Sequence, residues 1–120
     1  MDQLPPQVQQ QVAQLQQFQQ RAQTLARQKQ QLEINLKEVE RALEEISKLK
    51  EDTTLYKSIG GIMMKTDLED AKEEQEDRRE TLDLRIKQIE RQEEKVNKKL
   101  EEMQAKIQDA MRQGPSGNAG

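Results

Sequence analysis

The chain has 120 residues, room for one domain at most, with 32% hydrophobic and 36% charged residues, one Phe, one Tyr and no Trp. Twenty basic and 23 acidic residues are well mixed and leave a net charge of −3, so neither a basic nucleic-acid footprint nor a cationic membrane face is present. With no Cys and no His, disulfides, thiolate or imidazole metal sites and the usual nucleophile–base pairs are excluded. Such a composition alone suggests disorder, but a sustained helical repeat in a Gln/Glu/Lys/Leu-rich chain is the signature of long helices.

No apolar run approaches the roughly 20 residues of a transmembrane helix. The polar start MDQLPPQVQQ lacks the regions of a signal peptide. The absence of cysteine is compatible with an intracellular protein.

The first helix is predicted over 5–51 and opens at Leu4-Pro5-Pro6, because proline at a helix start forfeits an N–H that would lack a partner anyway. From Val8 a 3-4 spacing visits 13 positions, of which ten are apolar: Val8, Leu15, Phe18, Ala22, Leu25, Leu32, Leu36, Val39, Leu43 and Ile46. Gln11, Lys29 and Lys50 interrupt it. About six heptads of this kind predict a coiled coil. Residues 1–31 hold 14 Gln and only four charges, whereas residues 32–52 hold seven acids and four bases. Val, Leu, Phe and Arg break the Gln tract at helical spacing, so it reads as a weakly charged helix face.

A hairpin is predicted over 53–66, TTLYKSIGGIMMKT. Gly60-Gly61 supplies the positive φ angles of a two-residue turn. Ile59 then faces Ile62, Ser58 faces Met63, Lys57 faces Met64 and Tyr56 faces Lys65. One face carries Leu55, Ile59, Ile62 and Met64, and the other Tyr56 and Met63. A lone hairpin is marginal in water, and open apolar edges invite pairing with another chain. The hairpin therefore predicts an oligomer.

The second helix is predicted over 67–113. Thr66 and Glu69 form a capping box, with Asp67, Glu69 and Asp70 in the first turn. Its seam has nine apolar residues at 13 positions, with a polar gap at Lys72, Gln75 and Arg79 near the hairpin. Gly114-Pro115 is expected to end the helix and leave 114–120 as a flexible tail. The hairpin returns the chain, so the two helices pair antiparallel. The fold class is mainly α: a long antiparallel two-helix coiled coil joined by one β-hairpin.

Catalytic and nucleotide motifs fail on inspection. The paired carboxylates Glu44-Glu45, Glu73-Glu74, Glu93-Glu94 and Glu101-Glu102 sit among Lys and Arg at i,i+4 spacing, as on a solvated helix. The stretch Gly60–Thr66 mimics a P-loop but places Met64 where glycine must precede the lysine. No enzyme activity and no cofactor are predicted.

Helix, Gly-Gly hairpin and helix, with DTTLYKSIGGIMMKT and RQEEKVNKKLEEMQ as the most specific stretches, resemble the prefoldin family, and within it the archaeal beta-type subunits. That resemblance implies an ATP-independent chaperone subunit. Two alpha and four beta subunits would pool their hairpins into an intersubunit β-barrel platform. The coiled-coil tips would capture unfolded proteins and deliver them to a group II chaperonin. The implied client-binding tip comprises Leu4, Val8, Val12, Leu15, Phe18, Met103, Ile107, Ala110 and Met111. Leu4, Val12 and Met111 lie off the seam and are expected to be the most exposed. The implied assembly hairpin comprises Leu55, Tyr56, Ile59, Gly60, Gly61, Ile62, Met63 and Met64. Neither nucleic acid nor membrane is an expected partner. A structural scaffold or adaptor without client binding is the alternative.

Overall fold

The computed structural model describes the backbone of residues 4–119 and the side chains of residues 4–113. The elements run α1 (Pro6–Ser47), β1 (Leu55–Ile59), β2 (Ile62–Thr66) and α2 (Leu68–Ala119). The chain divides into two compact units where the sequence suggests one domain. Contacts in a helix pair are local to each level, so each unit has its own contact set. The first unit joins the chain up to Gln28 with the chain from Ile89 onward, and the second is Lys29–Gln88.

In the first unit the helices run antiparallel. Phe18 and Arg21 line one groove with Gln92, Val96 and Lys99. Gln11 and Gln14 line another with Met103 and Lys106. The core is a stripe of Val8, Leu25, Val96, Met103 and Ile107, each less than a tenth exposed. In the second unit the buried residues are Val39 and Leu82. Val39, at 2% exposure, is the most deeply buried side chain among the described residues.

The predicted seam is where the burial lies. Of the 13 seam positions of the first helix, only Lys50 is exposed. In α2 only Lys72 and Arg79 are exposed, and Gln75 is half-buried. Near the hairpin the seam differs by one residue from the predicted one. Ala71 is half-buried in place of Lys72, and Arg78 lines the groove in place of Arg79. The base of the hairpin packs on that flank of α2, where Lys57 reaches Glu74, and turns the buried stripe toward it.

Three boundaries differ from the sequence-based ones. α1 closes at Ser47 rather than at 51. There the Ser47 hydroxyl donates to the Glu44 carbonyl at 2.6 Å. The next two amides, Lys48 and Leu49, bond three residues back, to Glu45 and Ile46. This tightening satisfies the last carbonyls and stops the α-helical ladder. The cap of α2 is Asp67, not Thr66. Asp67 Oδ1 accepts the Asp70 amide at 2.8 Å, and its carbonyl accepts the first intrahelical bond from Ala71 at 3.0 Å. Thr66 is instead the last residue of β2, paired with Leu55. α2 also continues through Gly114-Pro115 to Ala119, where the sequence predicted an end and a tail. A proline removes the amide that would bond to the carbonyl four residues back and crowds that carbonyl, but its fixed φ near −65° is itself a helical value. Gly120 lies outside the described residues.

Candidate functional site

The hairpin is built from its turn outward. Gly60 and Gly61 have φ of 56° and 83°, in the left-handed region that costs any residue with a Cβ. Two consecutive positive φ angles give the turn the twist that flanking strands need. The ladder pairs Ile59 with Ile62, Ser58 with Met63, Lys57 with Met64, Tyr56 with Lys65 and Leu55 with Thr66. Four of these pairs are the predicted ones, and Leu55–Thr66 extends them.

Alternation along the strands then decides what each face meets. Leu55, Lys57 and Thr66, at the base of one face, are half-buried. They line an open groove of about 500 Å³ with Ala42, Ile46, Ala71 and Gln75. Lys57 Nζ is 3.2 Å from Glu74 Oε2, which fastens this face to α2. Toward the turn the same face exposes Ile59, Ile62 and Met64, and the other face exposes Tyr56 and Met63. These five account for half of the ten exposed large hydrophobic side chains among the described residues. Scattered single apolar residues need no explanation; five within ten strand residues form a patch. Each strand also has one edge without a neighbour, since the sheet has two strands only.

The predicted tip residues all fall in the first unit and separate into three kinds. Val8, Met103 and Ile107 are core. Val12, Leu15, Phe18 and Ala110 are half-buried. Leu4 and Met111 are exposed, at 37% and 56%. Two of the three off-seam residues are thus exposed, as expected, while Val12 is partly covered. Leu4 precedes α1, and its carbonyl accepts Gln9 Nε2 at 2.7 Å.

Ile34 and Leu84 are further exposed apolar residues in the second unit. Both sit midway between seam positions, on the outward side of their helices, and the heptad pattern alone marks them. Among the described residues no group of three or more acidic, His or Cys side chains could hold a metal ion. No helix there is long and apolar enough to cross a membrane.

Comparison with known proteins gives a consistent result. The family described as "Prefoldin subunit" matches residues 9–114. No curated protein matches the chain. The crystal structure of the prefoldin beta subunit from Thermococcus strain KS-1 is similar over 93% of this chain and 98% of its own, at 42% identity and a TM-score of 0.87. That of the prefoldin beta2 subunit from the same strain is similar over 76% of this chain and 97% of its own, at 22% identity and a TM-score of 0.69; it bears on the fold alone.

Proposed function

This chain belongs to the prefoldin family, and on that premise we propose that it is an ATP-independent chaperone subunit of archaeal beta type. In this reading its hairpin joins those of neighbouring subunits, two alpha and four beta in all, in a shared β-barrel. Apolar side chains of the first unit hold unfolded proteins, which pass to a group II chaperonin. The compartment is the cytoplasm.

One observation carries the proposal: the chain holds two separate sets of exposed apolar side chains, with different geometry. The hairpin set lies on strands with open edges and suits permanent pairing with other strands. Leu4 lies just before α1 and Met111 in the last turns of α2, where a flexible thioether adapts to many shapes. A single set of this size would bind an unfolded segment weakly. Several subunits around one client would raise the avidity through effective concentration.

The test is truncation of residues 1–10 together with 108–120, which removes Leu4, Val8, Ala110 and Met111 and leaves the hairpin whole. The truncated subunit is expected to assemble with its alpha partner by sedimentation. It should lose most suppression of light scattering by a chemically unfolded, weakly charged protein. Moderate salt should weaken that suppression little, because the removed segments carry few charges. Full suppression after truncation would move the client site elsewhere. Absence of suppression by an intact assembly would favour a scaffold subunit.

A further inference from the structure

One flank of the first unit carries positive charge that nothing in the fold uses. Arg21, Lys99 and Lys106 occupy the heptad position just before a seam residue, on the side where the two helices of an antiparallel pair face each other. At sevenfold spacing from these residues the first unit otherwise holds only Gln: Gln7, Gln14, Gln28, Gln92 and Gln113. Like charges facing each other without a counter-charge are unfavourable. Lys95 adds to the cluster one turn before Lys99 and repels it at i,i+4. No ion pair among the described residues engages Arg21, Lys95 or Lys99.

These cations surround a concavity. Arg21, Lys95 and Lys99 line an open groove of about 440 Å³ with Phe18, Val96 and Gln92. Lys99 also lines the adjoining depression, with Gln11, Gln14, Met103 and Lys106. No carboxylate lines either one. The half-buried Phe18 and the buried Val96 give the groove an apolar side, and the ammonium and guanidinium groups rim it.

We propose that this groove holds an acidic segment of an unfolded polypeptide, with an apolar side chain of that segment against Phe18 and its carboxylates on Arg21, Lys95 and Lys99. The argument is charge complementarity around an apolar patch. A folded acidic protein buries most of its large apolar side chains, whereas an unfolded chain presents them together with its carboxylates. The groove takes both. A nucleic-acid strand would use the charges, but the neighbouring sequence of α2 also holds Glu90, Glu94, Glu101, Glu102 and Asp109, which an extended run of phosphates would meet and a short segment confined to the groove would not. The inference rests on the capture reading above for the source of the segment. It adds a client class, acidic and apolar, whose capture is salt-sensitive while that of weakly charged clients is not.

The test uses the full-length chain and a short fluorescein-labelled peptide of alternating Glu and Leu, with Ser/Leu and Lys/Leu counterparts, read by fluorescence anisotropy. The Glu/Leu peptide should bind most tightly and weaken with salt. The variant R21Q/K95Q/K99Q should bind it about tenfold more weakly, the sum of three exposed ion pairs. A control, K37Q/K50Q/K87Q, makes the same change in net charge at exposed positions of the other unit and should bind as the native chain does. Circular dichroism melts of both variants confirm the helices. Equal binding by native and R21Q/K95Q/K99Q chains, or an equal loss in the control, would overturn the proposal. So would a single-stranded oligonucleotide that displaces the peptide more effectively than unlabelled peptide does. Suppression of aggregation without Glu/Leu binding would sink this groove and leave the capture reading standing. Glu/Leu binding without suppression would do the reverse.

Discussion

Gln11 sits at a seam position between Val8 and Leu15, and its Oε1 is buried with no hydrogen-bond partner. A buried acceptor without a donor loses its hydration and regains nothing, which costs on the order of 1–3 kcal/mol. Gln11→Leu is therefore expected to raise stability by about 1 kcal/mol, the apolar side chain filling the same stripe. A denaturant melt checks this, and a neutral or destabilising result would mean that water supplies the missing donor. Asp67 is the opposite case. Its side chain accepts the Asp70 amide, so Asp67→Ala should destabilise by about 1 kcal/mol. Thr66→Ala removes no cap and should cost less. Measuring the two side by side distinguishes a cap at 67 from the capping box that the sequence suggests at 66 and 69. That box fits the pattern of residue types, but hairpin pairing claims Thr66 first.

Within the helices, the heptad stripe predicts where truncation hurts. Val39 is 2% exposed and its neighbour Glu40 is exposed. Val39→Ala is expected to cost about 1–2 kcal/mol, from two lost methyl groups and a partly relaxed cavity. Glu40→Ala should stay within about 0.5 kcal/mol. Similar losses at both positions would refute the assigned stripe. The stripe was legible because a 3-4 repeat sustained over many turns leaves one face for the partner helix. It was misread by one residue at Ala71 because the repeat alone carries no record of the hairpin packing on α2. The end of α2 was misread for a related reason: Gly and Pro lower helix propensity but do not forbid the backbone conformation.

At the scale of the molecule, the proposed function makes the hairpin the assembly element. Ile59 and Ile62 are directly opposite each other, exposed at 49% and 66%. The double variant Ile59→Lys with Ile62→Lys would place like charges opposite each other on that face. Their exposure leaves folding of the chain largely untouched, so helix content should persist while assembly with the proposed alpha partner is lost. Sedimentation and circular dichroism together read both properties. An undiminished oligomer would show that these side chains lie outside the subunit interface.

By itself the sequence determined the element order, the strand register, most of the buried stripe and the family. The first three follow from local rules: turn chemistry at Gly60-Gly61, period-2 pairing on either side of it, and a heptad repeat; the family follows from the resemblance that DTTLYKSIGGIMMKT and RQEEKVNKKLEEMQ carry. Heptad phase already set Leu4 and Met111, off the seam, apart from the seam residues of the tip. Tertiary structure alone decided which of those seam residues are core, Val8, Met103 and Ile107, which stay half-buried, Leu15, Phe18 and Ala110, and that the off-seam Val12 is partly covered. It also decided that Arg21, Lys95 and Lys99 line one groove. Arg21 lies more than 70 residues from the two lysines in the chain, in a different helix. Heptad phase ranks positions around one helix; which residue stands level with which across the pair depends on where each helix begins and ends around the hairpin, and those ends are set by caps and tightened turns that composition does not reveal.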